Sequence, residues 1–287
     1  MCILSSPPEK RWEEGESCAG CPRYVSKPLA RQAGRGKEIS AITLLLVERR
    51  VYHFPHTHGR LFPDHIRGVA DILQQWNQPH EICMAGLFHS CYATEMFPWK
   101  LFSLTERSRL QETLGQEVEE IVFLYCTCSQ NGIYRQVKSL MRRGQDIPAE
   151  GLVTNYYTGQ QCYLPHKLAA KVLVVLGADL MEQDPFFDLY LSCACLKIAS
   201  RHLQETPRLV SLLDRAGFFQ KNEKEVREVS KAAKKALSEA FSSTRSASGQ
   251  DELQARLTKL HRQAPWLFEG AVELSRLTDE ALSDEER

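Results

Sequence analysis

Residues 63–76 read PDHIRGVADILQQW. Ile66, Val69, Ala70, Leu73 and Trp76 recur at intervals of three and four, the period of a helix with one buried face, and Asp64 is placed to cap its start. His65, Val69, Ile72 and Trp76 also share a side, so the spacing turns an imidazole inward near the N-terminus of the helix. Working outward, Asn77 and Gln78 break the pattern and Pro79 opens a second helix. There Ile82, Ala85 and His89 align, which puts His89 on the buried stripe near the C-terminal end. Gly115 separates a charged helix over Leu104 to Leu114 from one containing Val118, Ile121, Val122, Leu124 and Tyr125. Pro165 opens a strong helix over His166 to Gln183, and Pro185 opens another that runs to about His202. In the former, Val172, Val175 and Leu176 stand one and two turns before Asp179, so a carboxylate lies on an apolar face and needs a partner. Few β-branched runs alternate anywhere, and the expected fold class is all-α.

Three regions are expected along the chain. Residues 1–38 carry Pro, Gly, Ser and charge without apolar periodicity and read as a disordered extension. Residues 39–205 read as a helical domain, within which 130–164 has Gly, Asn and Pro punctuation and room for one short helix after Tyr134. Residues 206–287 read as a charged helical extension with a polar linker near 242–250. Its last part, LTKLHRQAPWLFEGAVEL at 257–274, has the look of one helical-repeat unit.

Composition narrows the function. Lys plus Arg equals Asp plus Glu at 36 each, so no global field gathers a polyanion or an anionic membrane, and nucleic acid is not an expected partner. The most apolar windows, Ile39 to Val47 and Lys171 to Leu180, are shorter than a bilayer span of about 20 residues. No membrane partner is expected. The 10 cysteines in a chain of 287 residues read as free thiols in a reducing compartment, hence a cytoplasmic expectation, with the basic stretch Pro22 to Lys37 leaving organelle targeting open. Cys18-x-x-Cys21 lacks a second ligand pair at zinc-site spacing.

A single inward histidine usually reads as a core residue with a satisfied hydrogen bond. Two imidazoles, His65 and His89, and one carboxylate, Asp179, each on the apolar stripe of a separate helix, can instead meet inside a bundle and bind a divalent metal. The segments that carry them, PHTHGRLFPDHIRGVADIL, MAGLFHSCYATEMFP and GADLMEQ, resemble the ordered His … His-Asp … Asp pattern of the HD-domain superfamily. More closely, they look like an uncharacterised HD-like domain family with His-Ser-x-Tyr-x-Thr in place of His-Asp. The resemblance covers roughly residues 53–190.

The resemblance implies an HD-domain-like helical bundle with extra C-terminal helices, in which His65, His89 and Asp179 match the metal-ligand positions. HD proteins are mostly metal-dependent phosphohydrolases, with a smaller branch of iron oxygenases. Ser90 stands where the Asp of His-Asp would be, and a hydroxyl is a poorer ligand for a hard cation than a carboxylate. Glu95 either supplies that carboxylate or stands in solvent. His56 and His58 precede the first motif on a loop. His56, which matches the family segment better, is a candidate general acid–base, and Arg60 a candidate phosphate clamp. Tyr92 and Thr94 alternate past the helix end as pocket hydroxyls, with a Thr-held turn as the alternative. Cys91 reads as a buried thiol.

Three functional expectations remain open at this point. The first is a metal-dependent hydrolase, with Mn, Fe, Mg or Zn as cofactor, acting on a small phosphate-containing molecule. The second is a non-catalytic HD-like module for a ligand or partner. The third is a non-haem iron oxygenase built on the two-His, one-carboxylate set.

Overall fold

The computed structural model describes residues 42, 45–51, 54, 56, 61–156, 159–183, 189–203, 208–215 and 217–232. The N-terminal extension, the linker near 242–250 and the helices expected after it lie outside the described residues. The described elements are helices α1 (Phe62–Gln75), α2 (His80–Phe88), α3 (Arg107–Leu114), α4 (Gln116–Thr127), α5 (Gln130–Arg143), a hairpin of β1 (Leu152–Asn155) and β2 (Gln161–Leu164), then α6 (His166–Gln183), α7 (Leu189–Ala199) and α8 (Arg208–Arg215). A further helical stretch covers 223–232. The fold is all-α with one small hairpin. Among the described residues no helix is long and apolar enough to cross a membrane.

Helix α6 is the organising element. From Val172 to Asp179 every side is apolar or small, and each of these residues is buried. A helix hydrophobic all round belongs in the middle of a bundle. It packs against α1, α2, α4 and α7. Helix α1 contributes the narrow stripe His65, Ile66, Val69 and Leu73, all buried, and each such apolar side chain is worth about 1.5–3 kcal/mol relative to exposure. Gly86 brings α2 onto α1. A Cβ there would lie 2.4 Å from Leu73 Cδ1, so any larger residue would force the Leu73 side chain to shift. This approach places the end of α2, and with it His89, over α1.

Two local expectations are corrected. Helix α1 begins at Phe62 with Leu61 as its N-cap, so Asp64 lies inside the first turn, where its charge favours the helix N-terminus, and does not cap it. The segment 130–164 is far more regular than its punctuation suggests. Ser129 caps α5 by accepting from Gly132 N at 3.0 Å, and Ile133, Val137 and Leu140 bury one face of a 14-residue helix. The rest is the hairpin, in register Leu152↔Leu164 and Thr154↔Cys162, with Val153 and Tyr163 facing out. Strands of four residues are too short to stand out by alternation.

Candidate metal centre

Four helices meet at one buried point. Helix α1 supplies His65 from its first turn, His89 is the C-cap of α2, α4 brings Tyr125, and α6 brings Asp179 and Glu182. His65 and His89 are each 1% exposed and Asp179 4%. His65 Nε2 lies 3.1 Å from His89 Nε2 and 3.3 Å from Asp179 Oδ1, and His89 Nε2 lies 3.8 Å from the same oxygen.

The second nitrogen of each ring decides what these atoms can do. His89 Nδ1 donates to the carbonyl of Gly86 at 2.6 Å, and His65 Nδ1 donates to the Glu182 carboxylate at 2.5 Å. Both partners accept, so each ring carries a proton on Nδ1, and a ring with that proton alone presents its Nε2 lone pair. Burial pushes the His89 pKa down to about 4 against the pull of Asp179, which keeps that ring neutral at pH 7. Burial works to raise the Asp179 pKa, but His89, His65 and hydrogen bonds from Tyr125 and Gln183 outweigh it and hold the carboxyl below its usual range. His65 Nε2, His89 Nε2 and Asp179 Oδ1 thus converge on a shared space.

Outer contacts hold the three groups in place. Asp179 accepts from Tyr125 Oη on Oδ2 at 2.5 Å and from Gln183 Nε2 on Oδ1 at 2.8 Å. Burial, then the Asp179 charge, raise the Tyr125 pKa well above its ordinary value, so the phenol stays protonated and donates. Glu182 runs across Gly68 of α1. A Cβ at Gly68 would come within 2.8 Å of Glu182 Cγ, so this glycine leaves room for the carboxylate that orients His65. A carboxylate–histidine pair of this kind fixes the direction of the ring.

The other residues singled out from the sequence are placed as follows. His56 stacks on His65 with centroids 4.0 Å apart and planes 11° from parallel, with Phe97 and Phe62 beside it. His58 and Arg60 lie outside the described residues. Ser90 is buried in the turn after α2, where its carbonyl accepts from Ala93 N, and its side chain is not one of the three converging groups. Tyr92 is directed to Glu119, donating at 2.9 Å. Thr94 Oγ1 accepts from Phe97 N and Met96 N and holds a turn. Glu95 accepts from Ser129, Asn131 N and Asn131 Nδ2, which fastens it to the start of α5. Burial raises the Cys91 thiol well above its usual pKa, so it stays an uncharged group.

Sequence reasoning passed over Glu182, Gln183 and Tyr125. The first two stand three and four residues after Asp179 and share its face, a signal that was available. Tyr125 reaches Asp179 only through the crossing of α4 and α6. Replacing Glu182 by glutamine is expected to weaken divalent-metal binding by about 10- to 100-fold while leaving the melting temperature of the metal-free chain nearly unchanged. Titration against a chelating dye measures the first and thermal unfolding in chelator the second. Unchanged metal affinity would show that Glu182 does not orient His65.

Three protein ligand atoms from two histidines and one carboxylate are a donor set suited to a first-row divalent ion. The circle through three points at the observed separations has a radius of about 2.0 Å, which matches metal–nitrogen and metal–oxygen bonds of about 2.0–2.2 Å and is short for calcium. The residues therefore fit such an ion.

Comparison with known proteins adds one finding. Residues 45–130 match the family model described as a domain of unknown function (DUF6817). The matched span runs from before α1 to the start of α5, and so includes His65, His89 and Tyr125 but ends before Asp179 and Glu182. No curated protein and no solved structure matches the chain.

Proposed function

We propose that this chain is an HD-like metal-dependent hydrolase of a small phosphate-containing substrate, holding one divalent transition-metal ion through His65 Nε2, His89 Nε2 and Asp179 Oδ1. The observation that carries the reading is the convergence of those three potential ligand atoms at one buried point, with each ring's Nδ1 already engaged by another acceptor. A buried anion beside two imidazoles is stabilised by a cation. The phosphate class rests on the resemblance to the HD superfamily.

A divalent ion in this position supplies a Lewis acid for a phosphoryl oxygen and makes water acidic enough to attack near neutral pH. The chain's own residues do the positioning. Tyr125 and Gln183 fix the carboxylate of Asp179, Glu182 fixes His65, and the Gly86 carbonyl fixes His89. His56, half-buried and stacked on His65, is the candidate imidazole for moving a proton, and Arg60 stays the candidate phosphate contact. Ser90 offers a hydroxyl where a carboxylate would be needed for a second ion, so the site is mononuclear.

The test is a hydrolysis screen over phosphomonoesters and nucleotides with added Mn, Mg, Fe or Zn, run beside His89→Ala. The reading expects turnover that depends on metal and falls by about 100-fold or more in the variant. Metal-loaded protein with no phosphoesterase activity would contradict it. The two-His, one-carboxylate set is also that of single-iron oxygenases, which would retain iron and consume oxygen with an organic substrate. A non-catalytic module is favoured by Ser90 alone. On that reading Ser90→Asp raises metal affinity and leaves native function undisturbed.

A further inference from the structure

A second concavity lies away from these ligands, between α5 and the segment 219–227, with Tyr190 of α7 at its side. Its volume is 670 Å³, within the range of small-molecule sites. Five cations line it, Lys138 and Arg142 from α5 and Lys221, Lys224 and Arg227 from the segment after α8, against a single carboxylate, Glu223. In a chain whose formal charges cancel, that local excess is notable.

Glu223 is already engaged. It accepts from Lys138 Nζ at 2.6 Å and from Arg227 at 3.1 Å, so it is shared between those two. Arg142 is steered by its Nε, which donates to the Lys138 carbonyl at 3.3 Å, and among the described residues its terminal nitrogens have no acceptor. Lys221 has no carboxylate partner among the described residues, and Lys224 reaches Glu228 only at 3.9 Å. Asn222 caps the helical stretch 223–232 by accepting from Glu225 N, which turns the positive end of that helix towards the same groove. Met141, Tyr190 and Phe219 supply apolar surface beside the charges.

We propose that this groove binds a multiply charged phosphate anion, a di- or triphosphate group held by Arg142, Lys221 and Lys224, at a site separate from the metal centre. A planar guanidinium and two flexible ammonium groups, drawn from distant parts of the chain to line one groove, can meet several phosphate oxygens at once. The apolar side chains can additionally seat the ring of a nucleotide. None of the groove residues belongs to the metal centre, so the site stands whether or not that reading holds.

The experiment is isothermal titration of the full chain with inorganic triphosphate and, in parallel, a nucleoside triphosphate, in chelator and 150 mM salt. Expected is saturable binding at about one per chain, weakened about tenfold or more in the double variant Arg142→Gln, Lys221→Gln and unchanged in His65→Ala, His89→Ala. Both substituted cations are exposed, so circular dichroism and melting should match the native chain. Tighter binding of the nucleotide assigns the base to Tyr190 and Phe219, and equal binding assigns the ligand to phosphate alone. Either supports the site. Absence of saturable binding, or binding that survives the double cation variant, would overturn it.

Discussion

Replacing Glu119 with alanine is expected to lower the unfolding free energy by about 3 kcal/mol, the low end for breaking a buried ion pair. The melting temperature should fall by about 6–12 °C, at the 2–4 °C per kcal/mol of a domain this size. Glu119 is fully buried and is the hub of a network that the sequence does not announce. It accepts from Tyr92 Oη at 2.9 Å, from Arg107 at 2.6 and 2.8 Å, and from Gln111 at 2.8 Å. Removing it strands a buried phenol and a guanidinium stacked 3.6 Å over the Phe123 ring. Arg107 is about one-third exposed and regains some water, which is why the low end applies. Burial works to raise the Glu119 pKa, but Arg107, Tyr92 and Gln111 lower it on balance. A folded value below the unfolded one means that the stabilisation is complete above the ordinary carboxylate pKa, about 4.3, and is lost as pH falls through the folded value. The gap between native and variant should therefore close in acid. A Glu119→Ala chain that melts within 2 °C of the native one at pH 7 would contradict this.

Asp179→Asn carries the largest expected effect on binding. The amide keeps the size of the carboxylate and can still accept from Tyr125, so the bundle should fold. What it loses is the anionic oxygen that lies 3.3 and 3.8 Å from the two Nε2 atoms. Divalent-metal affinity should drop by about 100-fold or more, since first-row ions hold a neutral amide far less well than a carboxylate. Competition with a chelating dye reads this directly. Affinity within about threefold of native would remove Asp179 from the ligand set.

The parts of this site legible in the sequence are those that a single helix encodes. His65 and His89 could be placed inward because Val69 and Ile72, or Ile82 and Ala85, fix the buried face of their own helices. Asp179 stood out as a charge in the apolar run of α6. Residue positions that depend on how helices cross were not legible. Tyr125 finds Asp179 because α4 lies against α6, and Tyr92 meets Glu119 of α4 just before the chain turns at Ala93, which has φ of 70°. Glu95, a carboxylate six residues after His89 in sequence, is held at the start of α5 by Ser129 and Asn131. The hairpin escaped notice because Thr154 and Cys162 face the core in strands of four residues, too short for a period of two to register.

In the proposed site a metal ion, and not a shared proton, joins His65, His89 and Asp179. Elemental analysis of the full chain, purified without a histidine tag, beside the His65→Ala, His89→Ala double variant, tests it most directly. The account predicts about one first-row divalent ion per native chain and none in the variant. Native protein that carries no metal and takes up none when Mn, Fe or Zn is added would contradict it, and would make the cluster a protonated core triad.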